Sequence, residues 1–175
     1  EAFDKTSKLL GLGYPGGPLI EKLAKKAQGK KEFNLPRPLI NDKTMNLSFS
    51  GLKTSVRRII ENNISQSEKA DLANEFQKSI TECLLKKVKL AIDSSKYYKI
   101  KDFVLSGGVA SNSFIRDKFR VLCIKNSINF IVPAKSLCTD NATMIAWAGI
   151  EKFRNQGQGD SLDIHPKPRW SLESI

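Results

Sequence analysis

Two short apolar runs alternate with two helix-like segments in the second half of the chain, and this order constrains the fold more than any other feature. The run Phe-Val-Leu within 102–106 predicts a strand that leads into two glycines, and 128–132 predicts a second strand that stops at Pro133. A helix is predicted after each strand, the second one starting at Thr139 or Asp140. Since consecutive strand, helix and strand segments form parallel pairs through right-handed crossovers, the sequence predicts an α/β fold.

The first half of the chain shows mainly the helical spacing of apolar residues. Short helices are predicted over 1–12 and 19–27, around a turn at 11–18 whose four glycines and two prolines suit unusual backbone angles. The clearest helix is predicted to begin at Ser67, with apolar residues every three or four positions and lysines on its other face.

Residues 36–49 are the exception in this half, because they are predicted to be extended. We expect a β-hairpin over Asn41 and Asp42 and then a strand over 45–49. Ser50 is the predicted N-cap of the helix that follows.

The net charge of +11 is compatible with a nucleic-acid partner, because phosphate backbones attract clustered basic residues. The composition offers an alternative, since 22 of the 29 basic residues are lysines, the usual solvated surface residue, and Ile and Asn are frequent, as in proteins from AT-rich genomes. The sequence does not decide whether the lysines share one face. They form three groups: Lys22, Lys25, Lys26, Lys30 and Lys31; Lys86, Lys87 and Lys89; and Lys96, Lys99 and Lys101.

Several classes of protein are excluded by what the sequence contains. An integral membrane protein is excluded, because no apolar run approaches the roughly 20 residues that span a bilayer. Cys83, Cys123 and Cys138 are too widely spaced for a disulfide framework or a CxxC zinc site, and they favour a reducing compartment, with Cys83 and Cys123 expected in the core. His165 is the sole histidine, so this chain alone cannot build a histidine-centred triad or a multi-histidine metal site.

The segment 105–112 (LSGGVASN) is the first candidate for chemistry. Gly107 and Gly108 would let a ligand approach the backbone at the start of a helix, whose free N–H groups favour anions, and Asn112 would bind a sugar or base edge. The alternative is a plain connector in which Ser111 or Asn112 caps the helix.

Two carboxylates follow the same logic. Asp140, in CTDN, is a metal ligand or general base at the carboxyl edge of the sheet, or simply an N-cap, which the residues by themselves favour. Asp4 is an acceptor for ribose hydroxyls beside a ligand-contacting pair, Gly16 and Gly17, or it is a surface carboxylate beside a structural turn.

A basic corner is the last candidate. In 47–54, hydroxyl residues would cap a helix while Lys53, Arg57 and Arg58 face a partner or nucleic acid. An ordinary exposed basic helix face explains the same residues.

Five ordered motifs resemble one family, the tRNA threonylcarbamoyladenosine transferases of the bacterial TsaD (Gcp) group and its mitochondrial and archaeal relatives, formerly labelled O-sialoglycoprotein endopeptidases. The motifs are EAFDKTSKLLGLGYPGGP, NLSFSGLKTS, LSGGVASN, CTDNATMIAWAG and PRW, and they span nearly the whole chain. The resemblance implies an actin/Hsp70-like ATPase (ASKHA) fold, of which this chain is the second lobe. We expect that lobe over 1–156, with a helical insertion at about 17–95, and an irregular tail over 157–175.

The resemblance also implies an activity and the residues that serve it. The threonylcarbamoyl group of threonylcarbamoyl-adenylate would be transferred to N6 of adenosine 37 in tRNA (t6A modification), an acyl transfer without a covalent enzyme intermediate. The substrate-binding residues would be Asp4, Gly17, Gly107, Gly108 and Asn112, and Asp140 would bind one divalent metal, Fe²⁺ or Zn²⁺; no catalytic base is assigned.

The family's HxxxH metal-binding motif is missing from this sequence. We therefore expect a piece of a longer enzyme that is inactive by itself, or else a non-catalytic nucleotide-binding or scaffolding relative. The resemblance implies tRNA as partner, TsaB-like and TsaE-like proteins if the source is bacterial, a cytoplasmic or mitochondrial location, and a homodimer as one option. A peptidase is excluded, since the sequence has no HExxH motif and no nucleophile–base set.

Overall fold

A computed structural model describes residues 1–95, 100–163, 165–168 and 171. The chain divides into two compact units, Glu1–Thr139 and Asp140–Ile175, which are described separately.

The first unit contains five α-helices and one small sheet within the described residues. The helices are α1 (Ala2–Leu9), α2 (Gly16–Ala24), α3 (Ser50–Ile60), α4 (Gln66–Ser94) and α5 (Ser113–Lys125). Strands β1 (Asp102–Val104) and β2 (Asn129–Ile131), which precede and follow α5 in sequence, pair with each other in parallel. Short 3₁₀ turns occupy Gly108–Ser111 and Lys135–Leu137. The predicted α/β order is confirmed.

Helix α4 is the centre of the core. Its Phe76 is fully buried and meets the ring of Phe3 from α1 edge to face, with centroids 5.3 Å apart. Ile20 of α2 and Leu52 of α3 are buried in the same cluster. Each such side chain stabilises the fold by about 1.5–3 kcal/mol through burial. Helix α2 packs along α4, α1 meets α4 through Phe3, and α3 packs on α1.

The parallel pair packs on α5 through aromatic rings. Phe103 lies opposite Phe130 in the strand register, and Phe103 also stacks on Phe119 of α5 at 5.2 Å. Cys123 of α5 is buried, as is Cys83 of α4, which confirms both as core residues. Burial raises the pKa of both thiols.

The predicted hairpin and strand within 36–49 are wrong. This segment forms a turn and bends instead of strands, and its backbone bonds to side chains of α4. Ser79 donates to the carbonyl of Pro36 (2.6 Å), and the buried Lys87 ammonium donates to the carbonyls of Asp42 (2.7 Å) and Thr44 (2.8 Å). The side chains of α4 thus supply hydrogen-bond donors that a second strand would otherwise provide.

Three predicted helix starts in this unit are also shifted. Helix α2 begins at Gly16 and not at residue 19. Ser50 is the first residue of α3, not its N-cap. Helix α4 is capped by Ser65, which exchanges side-chain and backbone hydrogen bonds with Glu68 in a capping box, so Ser67 lies inside the helix.

The second unit consists of α6 (Ala142–Gln156) and irregular chain among its described residues. The side chain of Asn141 caps α6 by accepting from the N–H of Met144 at 3.1 Å, so neither Thr139 nor Asp140 begins this helix. Gly157 ends it in the left-handed conformation, at φ 71°. In the described part of the chain, no helix is both long and apolar enough to cross a membrane.

Candidate functional site

A cavity of about 490 Å³ brings together four of the five residues that the sequence analysis assigned to substrate binding. Asp4 and Gly17 line it from the α1–α2 side, and Gly108 and Asn112 line it from the segment that follows β1. Lys135, from the loop after β2, lines it as well. Two neighbouring parallel strands thus send the loops at their carboxyl ends to one cavity, the position where open α/β sheets bind ligands.

The two glycines of the α1–α2 turn have different roles. The Gly16 N–H donates to Asp4 Oδ1 at 2.8 Å, and a Cβ on Gly16 would lie 2.5 Å from the carbonyl oxygen of Phe3. Gly16 therefore permits the contact between the helices and orients Asp4. A Cβ on Gly17 would have nothing within 4 Å, so Gly17 leaves space at the cavity wall.

The GGVASN segment turns sharply between β1 and α5. Gly107 has φ 85°, a conformation that glycine adopts readily and other residues resist. The 3₁₀ turn that follows places Gly108, Val109 and Ser111 in the cavity wall. Gly107 thus shapes the loop, while Gly108 borders the space that a ligand would fill.

Asn112 serves as a helix cap as well as a cavity residue. It is 5% exposed, its Oδ1 accepts from the N–H of Ile115 at 3.0 Å, and its Nδ2 donates to Gln77 at 3.4 Å. An asparagine amide has two acceptor lone pairs and two donors. Asn112 can therefore hold the start of α5 and still offer one donor and one lone pair to a ligand.

Glu21 and Lys135 are cavity residues that the sequence analysis missed. Glu21 lies one helical turn after Gly17 and so shares its face of α2, but no local pattern in the sequence marks it as a cavity residue. Its carboxylate accepts from the Ser113 N–H at 3.3 Å and pairs with Lys25 at 2.8 Å. Partial burial raises the pKa of Glu21, but the hydrogen bonds from Lys25 and Ser113 outweigh it and the pKa is lowered. Glu21 is accordingly an anion at neutral pH.

The charges in the cavity come from Asp4, Glu21 and Lys135. The carboxylate oxygens of Asp4 and Glu21 can accept hydrogen bonds from hydroxyl groups. Lys135 donates to the Ser113 hydroxyl at 2.8 Å, at the same N-terminal end of α5 where Glu21 accepts from the Ser113 N–H. Such a cavity suits a ligand that has hydroxyls for the carboxylates and a negatively charged group for Lys135.

Asp140 is the first residue of the second unit and is exposed. Among the described residues, no three His, Cys, Asp or Glu side chains lie close enough together to hold a metal ion. Since protein metal sites of this kind use at least three protein ligands, the residues present do not by themselves fit a zinc or iron ion.

The basic groups are mostly on the surface. Lys53, Arg57 and Arg58 are exposed on α3, and Arg57 pairs with Glu61 at 3.0 Å. Lys87 is the buried member of its group and binds the 36–49 segment. Of the third group, Lys96 and Lys99 lie outside the described residues, as do Arg169 and Trp170 of the PRW motif.

Comparison with known proteins gives a consistent set of relatives. The family model described as TsaD: tRNA N6-adenosine threonylcarbamoyltransferase matches residues 1–147. Proteins named tRNA N6-adenosine threonylcarbamoyltransferase from Wolbachia pipientis wMel and Rhodospirillum rubrum are 46% and 42% identical to this chain. Each alignment covers 99% of this chain but 51% and 49% of the respective relative. The chain therefore spans about half the length of the curated relatives it matches.

Proposed function

Because this chain belongs to the TsaD family of tRNA N6-adenosine threonylcarbamoyltransferases, as its motifs predicted, we propose that it supplies part of the adenylate-binding site of such an enzyme. The enzyme would transfer a threonylcarbamoyl group from threonylcarbamoyl-adenylate to N6 of adenosine 37 in tRNA. The observation that carries this proposal is the convergence of Asp4, Gly17, Gly108 and Asn112 on one cavity.

The cavity has groups suited to each part of an adenylate. We assign Asp4 and Glu21 to the ribose hydroxyls, because both present carboxylate oxygens to the cavity. Gly17 and Gly108 leave room for the nucleoside next to the backbone. Asn112 adds its remaining donor and acceptor, and the Lys135 ammonium attracts the phosphate.

The transfer itself requires little covalent chemistry from these residues. The N6 amine of the tRNA adenosine attacks the carbonyl carbon of the threonylcarbamoyl group, a C–N bond forms, and the bond from that carbon to the phosphate oxygen breaks. AMP leaves with the bonding electrons, and the amine loses a proton. The role of this chain in that reaction is to bind and orient the adenylate.

We further propose that the α/β order belongs to the second lobe of an actin/Hsp70-like fold, with the lobe extending over 1–156. The parallel β1–β2 pair and the cavity at its carboxyl end support this assignment. Asp140 is proposed as one ligand of a divalent metal in a complete protein that supplies the others. tRNA, and TsaB-like and TsaE-like proteins in a bacterial source, are the proposed partners.

The test uses a chimera in which this chain replaces the matching half of the Wolbachia pipientis relative. Modified tRNA is digested, and the threonylcarbamoyladenosine nucleoside is measured by mass spectrometry. We expect the chimera to form the product and Asp4→Asn to lower its rate about tenfold or more, since the loss of one charge-assisted hydrogen bond has that magnitude. Asp117→Asn, an exposed carboxylate of α5 that pairs with Arg120, is the matched control and should keep full activity.

Two outcomes would contradict parts of this proposal. Equal activity of Asp4→Asn and the unmodified chimera would refute the assignment of Asp4. A chimera that binds AMP but forms no modified nucleoside would favour the non-catalytic binding module over the enzyme.

A further inference from the structure

Arg116, in the first turn of α5, contacts two separate loops of the chain, one after β1 and one after β2. Its Nε donates to the carbonyl oxygen of Ala110. Its Nη2 donates to the carbonyl oxygen of Pro133 at 3.0 Å and contacts the sulfur of Cys138 at 3.1 Å. Cys138 is buried, and Arg116 itself is half-buried.

Each of these two loops carries residues of the cavity wall. Ala110 belongs to the 3₁₀ turn between Gly108 and Asn112. Pro133 is two residues before Lys135, and Cys138 immediately precedes Thr139; Lys135 and Thr139 both line the cavity. Arg116 does not line the cavity, so any effect on a ligand has to pass through these segments.

The contacts of Arg116 depend on the shape of the guanidinium group. Its donors lie in a rigid planar fork, so that one side chain can reach acceptors in different directions. Among the described residues, no carboxylate pairs with Arg116, and its recorded partners are two backbone carbonyls and a sulfur atom. A lysine could keep the charge and the aliphatic stem but not this geometry.

We propose that Arg116 is a positioning residue that fixes the two loops at the carboxyl ends of β1 and β2 in the arrangement that binds the adenylate. The inference rests on the proposed function of the cavity. It concerns residues outside the cavity wall and states which contact sets the relative position of Gly108 and Lys135.

The experiment measures AMP binding by calorimetry and thermal unfolding for the chimera described above, which carries this chain unchanged, and for three variants of it. Arg116→Lys is the main variant, Arg116→Ala the more severe one, and Arg120→Ala the control, since Arg120 lies on the same helix and pairs only with the exposed Asp117 among its recorded ion pairs. We expect Arg116→Lys to bind AMP about tenfold more weakly, the effect of losing one well-placed hydrogen bond, while its Tm stays close to that of the unchanged chain. Arg120→Ala should bind AMP as the unchanged chain does.

A second readout separates positioning from general stabilisation. In Arg116→Lys, amide hydrogen exchange should become faster over 108–112 and 133–139 but not in α4, because only the fixed loops are released. If Arg116→Ala does not fold, Cys138→Ala removes one acceptor while Arg116 remains, and it should weaken AMP binding in the same direction.

The outcomes distinguish this inference from the proposed function. No AMP binding by the unchanged chain would overturn the nucleotide site and the role of Arg116 together. Normal AMP binding by both the unchanged chain and Arg116→Lys would overturn the inference alone. A lower Tm with unchanged affinity would also overturn it, because that result identifies Arg116 as a purely structural residue.

Discussion

Replacement of Gly16 by alanine is expected to destabilise the chain, whereas replacement of the adjacent Gly17 is expected to leave its stability equal or higher. A Cβ on Gly16 would lie 2.5 Å from the carbonyl oxygen of Phe3 and 2.6 Å from the Cα of Asp4. Both atoms belong to the backbone of α1, which cannot rotate away as a side chain would. Helix α2 therefore has to move away from α1, and Asp4 loses the N–H of Gly16 that it accepts at 2.8 Å.

The size of the effect follows from these two losses. Overpacking of this kind costs about 1–3 kcal/mol, and a hydrogen bond to a charged group contributes about 1.5–3 kcal/mol. We expect Gly16→Ala to lower the free energy of unfolding by about 3 kcal/mol or more, which corresponds to a Tm lower by about 10 °C for a chain of this size.

Gly17→Ala is the matched control, because it adds the same methyl group one residue later. Its Cβ would meet nothing within 4 Å, and its position in the first turn of α2 favours alanine by up to about 1 kcal/mol. Its Tm should be equal to or higher than that of the unchanged chain, while its AMP affinity falls because the methyl group enters the cavity wall.

Differential scanning fluorimetry and urea unfolding of the two variants measure the difference. A Tm of Gly16→Ala within about 2 °C of the unchanged chain, a shift of at most about 1 kcal/mol, would refute the reasoning from the α1–α2 contact. An equally large loss in Gly17→Ala would refute it too, since the clash would then not be the cause.

Three further predictions concern other parts of the first unit. Asn112→Ala removes the cap on the Ile115 N–H and should lower stability by about 1 kcal/mol and AMP affinity about tenfold. Equal calorimetric affinity of this variant and the unchanged chain would exclude Asn112 as a ligand. Lys87→Met leaves the carbonyls of Asp42 and Thr44 in the 36–49 segment without their donor. It should lower the urea midpoint by an amount equivalent to about 1–3 kcal/mol, without changing AMP binding. The pKa of Glu68 is lowered from 4.5 to about 2 by the hydrogen bonds of Lys31 and Ser65. Because the pKa is lower in the folded chain, the carboxylate of Glu68 stabilises the fold above pH 4.5, and this stabilisation is lost as the pH falls towards 2. In melting curves recorded over a pH series, Glu68→Gln should remove this part of the acid dependence.

The elements that were predicted from sequence are those with local signals. Both strands of the sheet are apolar runs ended by Gly107 or Pro133, and α5 and α4 have uninterrupted helical spacing. The capping box of α4 was also readable, because Ser65 and Glu68 have the required spacing of three. This spacing marks Ser65, and not Ser67, as the start of the helix.

The 36–49 segment was mispredicted because its partners are far away in sequence. Its carbonyls bind Ser79 and Lys87, more than 40 residues later, which no local pattern reveals. Glu21 was missed for a related reason, since its place in the cavity depends on α2 facing the N-terminus of α5. Asp4, Gly17, Gly108 and Asn112 were predicted from their motifs, but the cavity that joins them arises from long-range packing.

Several residues of the cavity bind the scaffold with one atom and have capacity left for a ligand. Asp4 uses Oδ1 to hold the α1–α2 turn, Asn112 caps α5, and Glu21 binds the N-terminal end of the same helix. Because these contacts fix the side chains before any ligand arrives, binding would require little further ordering of them, which favours affinity. Because one side chain serves both the scaffold and the ligand, stability and binding are hard to change separately at these positions. Variants that keep the scaffold contact, such as Asp4→Asn, are therefore more informative than alanine variants about what each residue contributes to ligand binding.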